Sequence, residues 1–320
     1  MAKQKVIFNH DAAIDEFMAA LLLTTMQEVD YLGSIIMNAD CIYTYAMQAQ
    51  WRIQEHLGIS QKKNPITLSR ARQWNPFPWQ YRGDCIKESN IKCLAGTPNN
   101  PDWPSYPNGD LFLASQLKKA LKEKEKITML VNCPMTTLRN VLEKWPKLCR
   151  AIDRLIWMGG AIQVEGNLDP TTLPPEVANP KAEWNAFCDP EAIQWVFENT
   201  TFPITLFPLD VTNSAAITPG FMANLAYQAK DHPYSEVAYQ SYEIVASEAF
   251  YDMWDVLTTS YIPHPEFFAP PAQMKLAIET QDYWQGTLYE DAKNGRAVEV
   301  VMELVDSAAF YEYVLTQFRR

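Results

Sequence analysis

The stretch KVIFNHDAAIDEF, Lys5 to Phe17, decides how the rest of the chain is read. An apolar run, Val6-Ile7-Phe8, stops at Asn9-His10-Asp11. Two alanines and an isoleucine follow, and Asp15-Glu16 then open an apolar stretch with Phe17, Met18, Leu21 and Leu22. A short β run that feeds a helix through a polar turn is the first half of a strand–helix–strand unit. The pattern recurs along the chain. Residues 31–37 read as a strand ending at Asn38-Ala39-Asp40, and residues 43–57 as a helix. Further strands are expected over 127–131, ending at Asn132-Cys133-Pro134, over 154–158, ending at Gly159-Gly160, and over 203–207. Such alternation predicts an α/β fold: a single domain spanning residues 1–320, with a mostly parallel central sheet and helices on both faces. In sheets of this kind ligands bind beyond the carboxyl ends of the strands. Here those ends are polar or glycine-bearing, which places the opening acids at an expected site.

Bulk properties narrow the function classes. The 320 residues suffice for a large core, and 48% of them are hydrophobic. The net charge of -11 argues against nucleic acid or an anionic membrane as partner. No apolar core follows Met1-Ala2-Lys3-Gln4 and no segment is long and apolar enough to span a bilayer, so a cytoplasmic location is expected. The six cysteines form no C-x-x-C pair and are read as buried free thiols. Two stretches, 74–108 and 165–187, are dense in Pro, Asn and aromatics, and are read as lids or binding loops. The run KKALKEKEK, 118–126, reads as a solvated helix end.

The acidic cluster itself has competing readings. Asp11, Asp15 and Glu16 could simply favour the positive end of a helix. They could also supply oxygen ligands to a hard cation. An aspartyl phosphotransferase would need Asp where Asn9 stands, and no glycine-rich phosphate loop is present.

Five segments, in order, carry a resemblance that favours the cation. NHDAAIDEF is similar to the D-x-D-x-x-x-D-D signature of the nucleoside hydrolases, the inosine-uridine-preferring family. VNCPMTTL (131–138) resembles that family's V-T-G-P-L-[ST]-N segment, and WMGGAIQVEGN (157–167) its M-G-G-x-x-x-x-G-N loop. AEWNAFCDPEA (182–192) matches A-E-[WF]-N-x-x-x-D-P-x-A, and MWDVLTTSY (253–261) matches the late [HW]-D segment.

The resemblance implies cleavage of the N-glycosidic bond of ribonucleosides with Ca²⁺ as cofactor, in a homodimer or homotetramer. It implies that Asp11 is the general base and a metal ligand, joined by Glu16, Asp255 and the backbone carbonyl of Asn132. Asp15, Asn167, Glu183 and Asn185 match ribose contacts. Trp254, where other members carry His, resembles the purine-preferring members, whose substrates are inosine, adenosine and guanosine. NPFPWQYR (75–82) resembles their second stacking segment, so Tyr81, with Trp79 as an alternative, is expected on the base, with Asp40 nearby. The chain departs from the signature at Asn9 and Glu16, which stand in place of Asp, and at Ala12-Ala13, which replace Pro-Gly or Gly-Asn. Those departures leave a second expectation open: a homologue that binds nucleoside at an altered metal site without turnover.

Overall fold

Strand β1, Gln4–His10, forms where the apolar run requires it, and the helix Ile14–Thr25 follows after the turn Asp11-Ala12-Ala13. These coordinates are a computed structural model that describes residues 3–101, 105–248 and 250–320. The other strands are β2 (Val29–Ile36), β3 (Ile66–Leu68), β4 (Ile127–Asn132), β5 (Ile152–Met158), β6 (Ile204–Phe207), β7 (Ala272–Ile278), β8 (Leu288–Glu290) and β9 (Arg296–Val300). Among the described residues they make one sheet in the order β3-β2-β1-β4-β5-β6-β9-β7-β8. Every pairing from β3 to β9 is parallel, and β7 pairs antiparallel with both β9 and β8. The fold is therefore α/β with a mostly parallel sheet, as the alternation predicts.

The connections explain where a site belongs. From β1 the chain moves outward to β2 and β3, then returns to place β4 on the other side of β1. The crossovers on either side of β1 leave in opposite directions, so a crevice opens beyond the carboxyl ends of β1 and β4. In that register His10 lies opposite both Ile36 and Asn132, which brings Asp11 and Asn132 to the same end of the sheet.

β1 is buried on both faces, and its period of two divides the core. Val6 and Phe8 pack with the helices Ile14–Thr25, Pro233–Glu243, Trp254–Ser260 and Ser307–Phe318. Ile7 packs with the helices Gly109–Glu123, Thr136–Lys144 and Pro190–Asn199 on the opposite face. The lysine-rich run expected as a helix end is one: the helix Gly109–Glu123 stops at Lys124, whose φ of 57° is left-handed.

Both irregular stretches are fastened to the body. Within 74–108 the helix Asp84–Glu88 and the turn Lys92–Leu94 are held by Arg52, whose guanidinium donates to the carbonyls of Ser89 and Leu94. Asn75 donates to the carbonyl of Phe187 and to Gln285 Oε1, both at 2.7 Å. Asp102-Trp103-Pro104 in that stretch lie outside the described residues. The cysteines are free thiols, as expected, although Cys93 and Cys149 are only half-buried.

The turn after β1 carries local strain. Ala12 is buried and has φ of 66°, a conformation glycine adopts freely and Cβ-bearing residues avoid. Ala12→Val should lower unfolding stability by about 2 kcal/mol, because a β-branched side chain is worst tolerated there. Ala12→Gly should stay within about 1 kcal/mol of the parent, relief of strain offsetting the lost methyl. Urea unfolding of both variants checks this; a valine variant as stable as the parent would contradict it.

Candidate active site

A cavity of about 530 Å³ opens at this crevice. Its floor gathers Asp11 from the turn after β1, Glu16 from the first turn of the following helix, and Asp255 from the first turn of the helix Trp254–Ser260. Asp40, at the end of β2, lines it as well, and its N–H donates to Asp11 Oδ2 at 3.2 Å. The N–H of Asp11 donates to Glu16 Oε1 at 3.5 Å, while Glu16 Oε2 is buried with no hydrogen-bond partner. Asn132 is fully buried beside this group. Its amide donates to the carbonyl of Asp255 at 3.5 Å, and its own Oδ1 is unpartnered.

The second wall comes from the loop after β5. Gly160, with φ of 77°, turns its N–H onto Glu183 Oε2 at 2.7 Å. The Glu183 carboxylate also accepts from the N–H groups of Asn185 and Ala186, capping the helix Trp184–Cys188. A Cβ at Gly166 would stand 2.0 Å from the carbonyl oxygen of Ala182, so only glycine allows the two strands of this loop to meet. That approach presents Asn167, whose Oδ1 accepts from the N–H of Trp184 at 3.1 Å. Asn185 donates to the carbonyl of Met158 at 3.2 Å. Asn167, Glu183 and Asn185 all line the cavity.

Aromatic rings form the upper wall. Trp254 and Tyr81 both line it, the indole N–H donating to Asn213 Oδ1 and the Tyr81 hydroxyl to Asp169 Oδ2, each at 3.2 Å.

Three expected residues do not line the cavity: Asn132, buried beside the floor acids, Trp79 and Asp15. Trp79 does not line the cavity; its ring is 71% exposed, with the Arg82 guanidinium 5.4 Å from its centre. Asp15 is fully buried and is not a lining residue. Its carboxylate accepts from the Tyr242 hydroxyl at 2.6 Å and from the N–H groups of Asp255 and Val256 at 2.6 and 2.9 Å. It thus supports Asp255 from behind, because the first side of a helix turn that points into the core faces protein and not the cavity.

Conversely, Phe77, Asp84, Asp169, Trp184, Glu248, Phe250, Tyr251 and Asp252 line the cavity without having been expected there. Position in the sequence gave one cue: Glu248 to Asp252 immediately precede the M-W-D segment, and Asp169 follows Asn167 by two residues.

Burial and mutual repulsion dominate the electrostatics. Burial pushes the carboxyls of Glu16, Asp40 and Asp255 well above their ordinary range, and neighbouring carboxylates push them further. Asp11 is raised for the same first reason, though the bond to Glu16 and the N–H of Asp40 favour its charge. Asp15 and Glu183, despite several donors each, are pushed up by burial to about 7. Without a cation, protons must neutralise part of this group.

An oxygen-only donor set with unpartnered buried oxygens and uncompensated negative charge fits a hard cation, which takes carboxylates, backbone carbonyls and water together. Among the described residues, however, no three His, Cys, Asp or Glu side chains are arranged to hold a metal by themselves. The fit lies in the charge and chemistry of the donors, and not in a closed side-chain cage.

The family model described as inosine-uridine preferring nucleoside hydrolase matches residues 6–312. The chain belongs to this family. The inosine-uridine preferring nucleoside hydrolase from Bacillus anthracis is 28% identical, with a TM-score of 0.85 over 99% of each chain. A purine-preferring ribonucleoside hydrolase from Gardnerella vaginalis, 18% identical, shares the fold with a TM-score of 0.78 over 99% of this chain and 98% of its own. The non-specific ribonucleoside hydrolase RihC of Escherichia coli O1:K1 is 27% identical over 198 residues, and the chain spans only 61% of that relative's length.

Against the nucleoside hydrolase signature, Asn9 has a physical reason to be an amide here. Its Nδ2 donates to the carbonyl of Ile35 at 3.0 Å, a bond no carboxylate could make. Glu16 replaces Asp with a longer stem, and that length carries Oε1 to the backbone of Asp11.

A pH dependence follows from the raised carboxyls. A carboxyl held above its unfolded value keeps a proton that the unfolded chain has shed. Its contribution to stability is therefore complete below the unfolded values of 3.8 and 4.5, and is lost as pH climbs through about 7 for Asp15 and Glu183. Cation-free protein should melt at a lower temperature at pH 8 than at pH 5.5, and Ca²⁺ should raise the melting temperature more at pH 8. Equal calcium effects at the two pH values would contradict the electrostatic account.

Proposed function

We propose that the protein hydrolyses the N-glycosidic bond of purine ribonucleosides, releasing ribose and the free base. The observation that carries this reading is the placement of Asp11, Glu16 and Asp255 on the cavity floor, with Asn167, Glu183 and Asn185 on one wall and Trp254 and Tyr81 among the rings above.

In this reading Asp11 accepts the proton of the water that attacks C1′, the role a carboxylate plays opposite a departing glycosidic group. The N–H of Asp40 favours the charged form of Asp11 against the burial that opposes it. Glu183, Asn167 and Asn185 hold ribose hydroxyls; their own backbone partners fix each side chain before substrate arrives, which lowers the entropic cost of orientation. Asp15 does not touch the sugar but holds Asp255 in register through two backbone bonds. Glu16, Asp255, Asp11 and the carbonyl of Asn132 would hold Ca²⁺, which when bound supplies Lewis acidity and anchors water and ribose together. Trp254 and Tyr81 stack on the purine, and Asp40 lies by the base.

Ribose release from inosine, guanosine, adenosine and uridine tests the reading. Inosine should be cleaved faster than uridine, and a chelator should abolish release. Asp11→Ala should lower kcat by about 10²–10⁴-fold, the range of a lost general base. Trp254→Ala should raise KM for inosine by about 5-fold, through lost stacking worth about 1 kcal/mol. Binding of inosine without release of ribose from any purine nucleoside would favour the non-catalytic homologue that Asn9 and Glu16 leave open.

A further inference from the structure

The turn between β7 and β8, residues 279–287, lies at the far end of the sheet order, and among the described residues neither it nor its two strands line the cavity. Yet the wall that carries Asn167, Glu183 and Asn185 rests on it. The link is Asn179, fully buried and itself outside the cavity lining. Its Nδ2 donates to the carbonyls of Tyr283 and Gln285 at 2.9 and 3.1 Å. Its Oδ1 accepts from the N–H groups of Lys181 and Ala182 at 3.0 and 2.9 Å, and from the Thr287 hydroxyl at 3.3 Å. Both donor hydrogens and the acceptor oxygen are used, so the amide is committed to joining the turn to the segment 180–182.

That segment is the spine of the ribose wall. The N–H of Gly166 donates to the Pro180 carbonyl at 2.8 Å, and the N–H of Asn167 to the Ala182 carbonyl at 3.2 Å. Glu183 is the next residue, and its carboxylate holds the N–H groups of Gly160, Asn185 and Ala186. Two further contacts come from the same hairpin. Gly286, with φ of 86°, packs so closely that a Cβ there would stand 2.6 Å from Phe187 Cα. Leu288, the first residue of β8, packs against Gly160, where a Cβ would collide with its Cδ1. Gln285 extends the tie to the other irregular stretch: its Oε1 accepts from Asn75, which also donates to the Phe187 carbonyl. Phe77, two residues on, closes against Trp184 with ring centres 4.8 Å apart.

The wall loop has no helix or strand of its own between β5 and the helix Trp184–Cys188, so its position is set by what it is tied to. A side chain that holds a hydroxyl works only while its backbone is held, and a misplacement of about 1 Å can cost roughly 100-fold in rate. We propose that Asn179 and the turn between β7 and β8 position the ribose wall, which makes a hairpin outside the cavity a determinant of how the sugar is held. The inference rests on the hydrolase reading for its substrate and adds positioning residues to the same site. Asn179, Gln285 and Gly286 touch no reacting atom; they act through Asn167, Glu183 and Asn185.

The experiment is a set of multiple-variant cycles read as kcat/KM for inosine. Asn179→Ala should lower it by at least about 10-fold. Added to Asn167→Ala with Asn185→Ala, the same change should cost less than about 3-fold, because two of the side chains it positions are already gone. Added to Trp254→Ala, in the upper wall, it should again cost the full factor of about 10. Asn179→Asp keeps the oxygen to which Lys181 and Ala182 donate and removes both bonds to the turn, so it should fall as far as Asn179→Ala. Gly286→Ala disturbs the contact from the turn alone and should reproduce the pattern, which keeps the test intact if the Asn179 variants do not fold. Loss of equal size in both backgrounds marks general destabilisation and overturns the inference, as does parental activity in Asn179→Asp or in Gly286→Ala. The same changes are followed by equilibrium dialysis of inosine against protein carrying Asp11→Ala, where no turnover intervenes. A parent that binds inosine and releases no ribose overturns the hydrolase reading; the inference then stands if dialysis shows the same dependence on background and falls if it does not.

Discussion

The Asp15 carboxylate accepts the backbone N–H groups of Asp255 and Val256, residues 240 and 241 positions away, and the site depends on that contact. It caps a helix from a different part of the chain. An N-terminal turn has N–H groups with no partner inside the helix, and a buried carboxylate satisfies two of them at once. The Tyr242 hydroxyl completes the arrangement from the layer behind. Because Asp15 is fixed by its place in the helix that follows β1, its bonds fix Asp255 against Asp11 and Glu16. One clamp therefore joins the two ends of the sequence and assembles the cavity floor.

What the clamp assembles is electrostatically unfavourable by itself. Asp11, Glu16, Asp40 and Asp255 are drawn together at the cavity floor, where burial opposes the charge of all four and neighbouring carboxylates further oppose that of Glu16, Asp40 and Asp255. A protein that had no use for a cation would gain stability by replacing one of these acids with an apolar residue. The unpartnered oxygens of Glu16 and Asn132 point the same way, since buried polar atoms ordinarily find partners. Strain is concentrated in the same place. Ala12 holds a left-handed conformation between β1 and the helix, in the turn that aims Asp11 into the cavity.

Much of this was legible in the sequence, for reasons that can be named. β1, β2, β4, β5 and β6 are near-continuous apolar runs because both faces of a parallel sheet are covered, and such runs stand out. β7 is half exposed, and β3 and β8 are three residues long, so their patterns are too weak or too short to read. Asp11 and Asp40 could be placed at one crevice because each closely follows the end of a strand, while Glu16, Glu183 and Asp255, which line the same cavity, were legible only through the resemblance to the family's segments. Asp15 and Trp79 do not line the cavity, for opposite reasons. The facing of Asp15 depends on a partner 240 residues away, and the exposure of Trp79 depends on how Arg82 and the loop around it pack. The lining acids Asp84 and Glu248 come from irregular segments whose meeting point is set only by tertiary packing.

The central claim is that buried like charges at the end of β1 are neutralised by a cation and, without it, by protons. Calorimetric titration of Ca²⁺ into chelator-treated protein at pH 7, repeated in buffers of different ionisation enthalpy, measures both the binding and the protons it displaces. The account predicts saturable binding with net proton release, and loss of both in Asp255→Ala. Absence of calcium binding, or binding with no proton release, would contradict it.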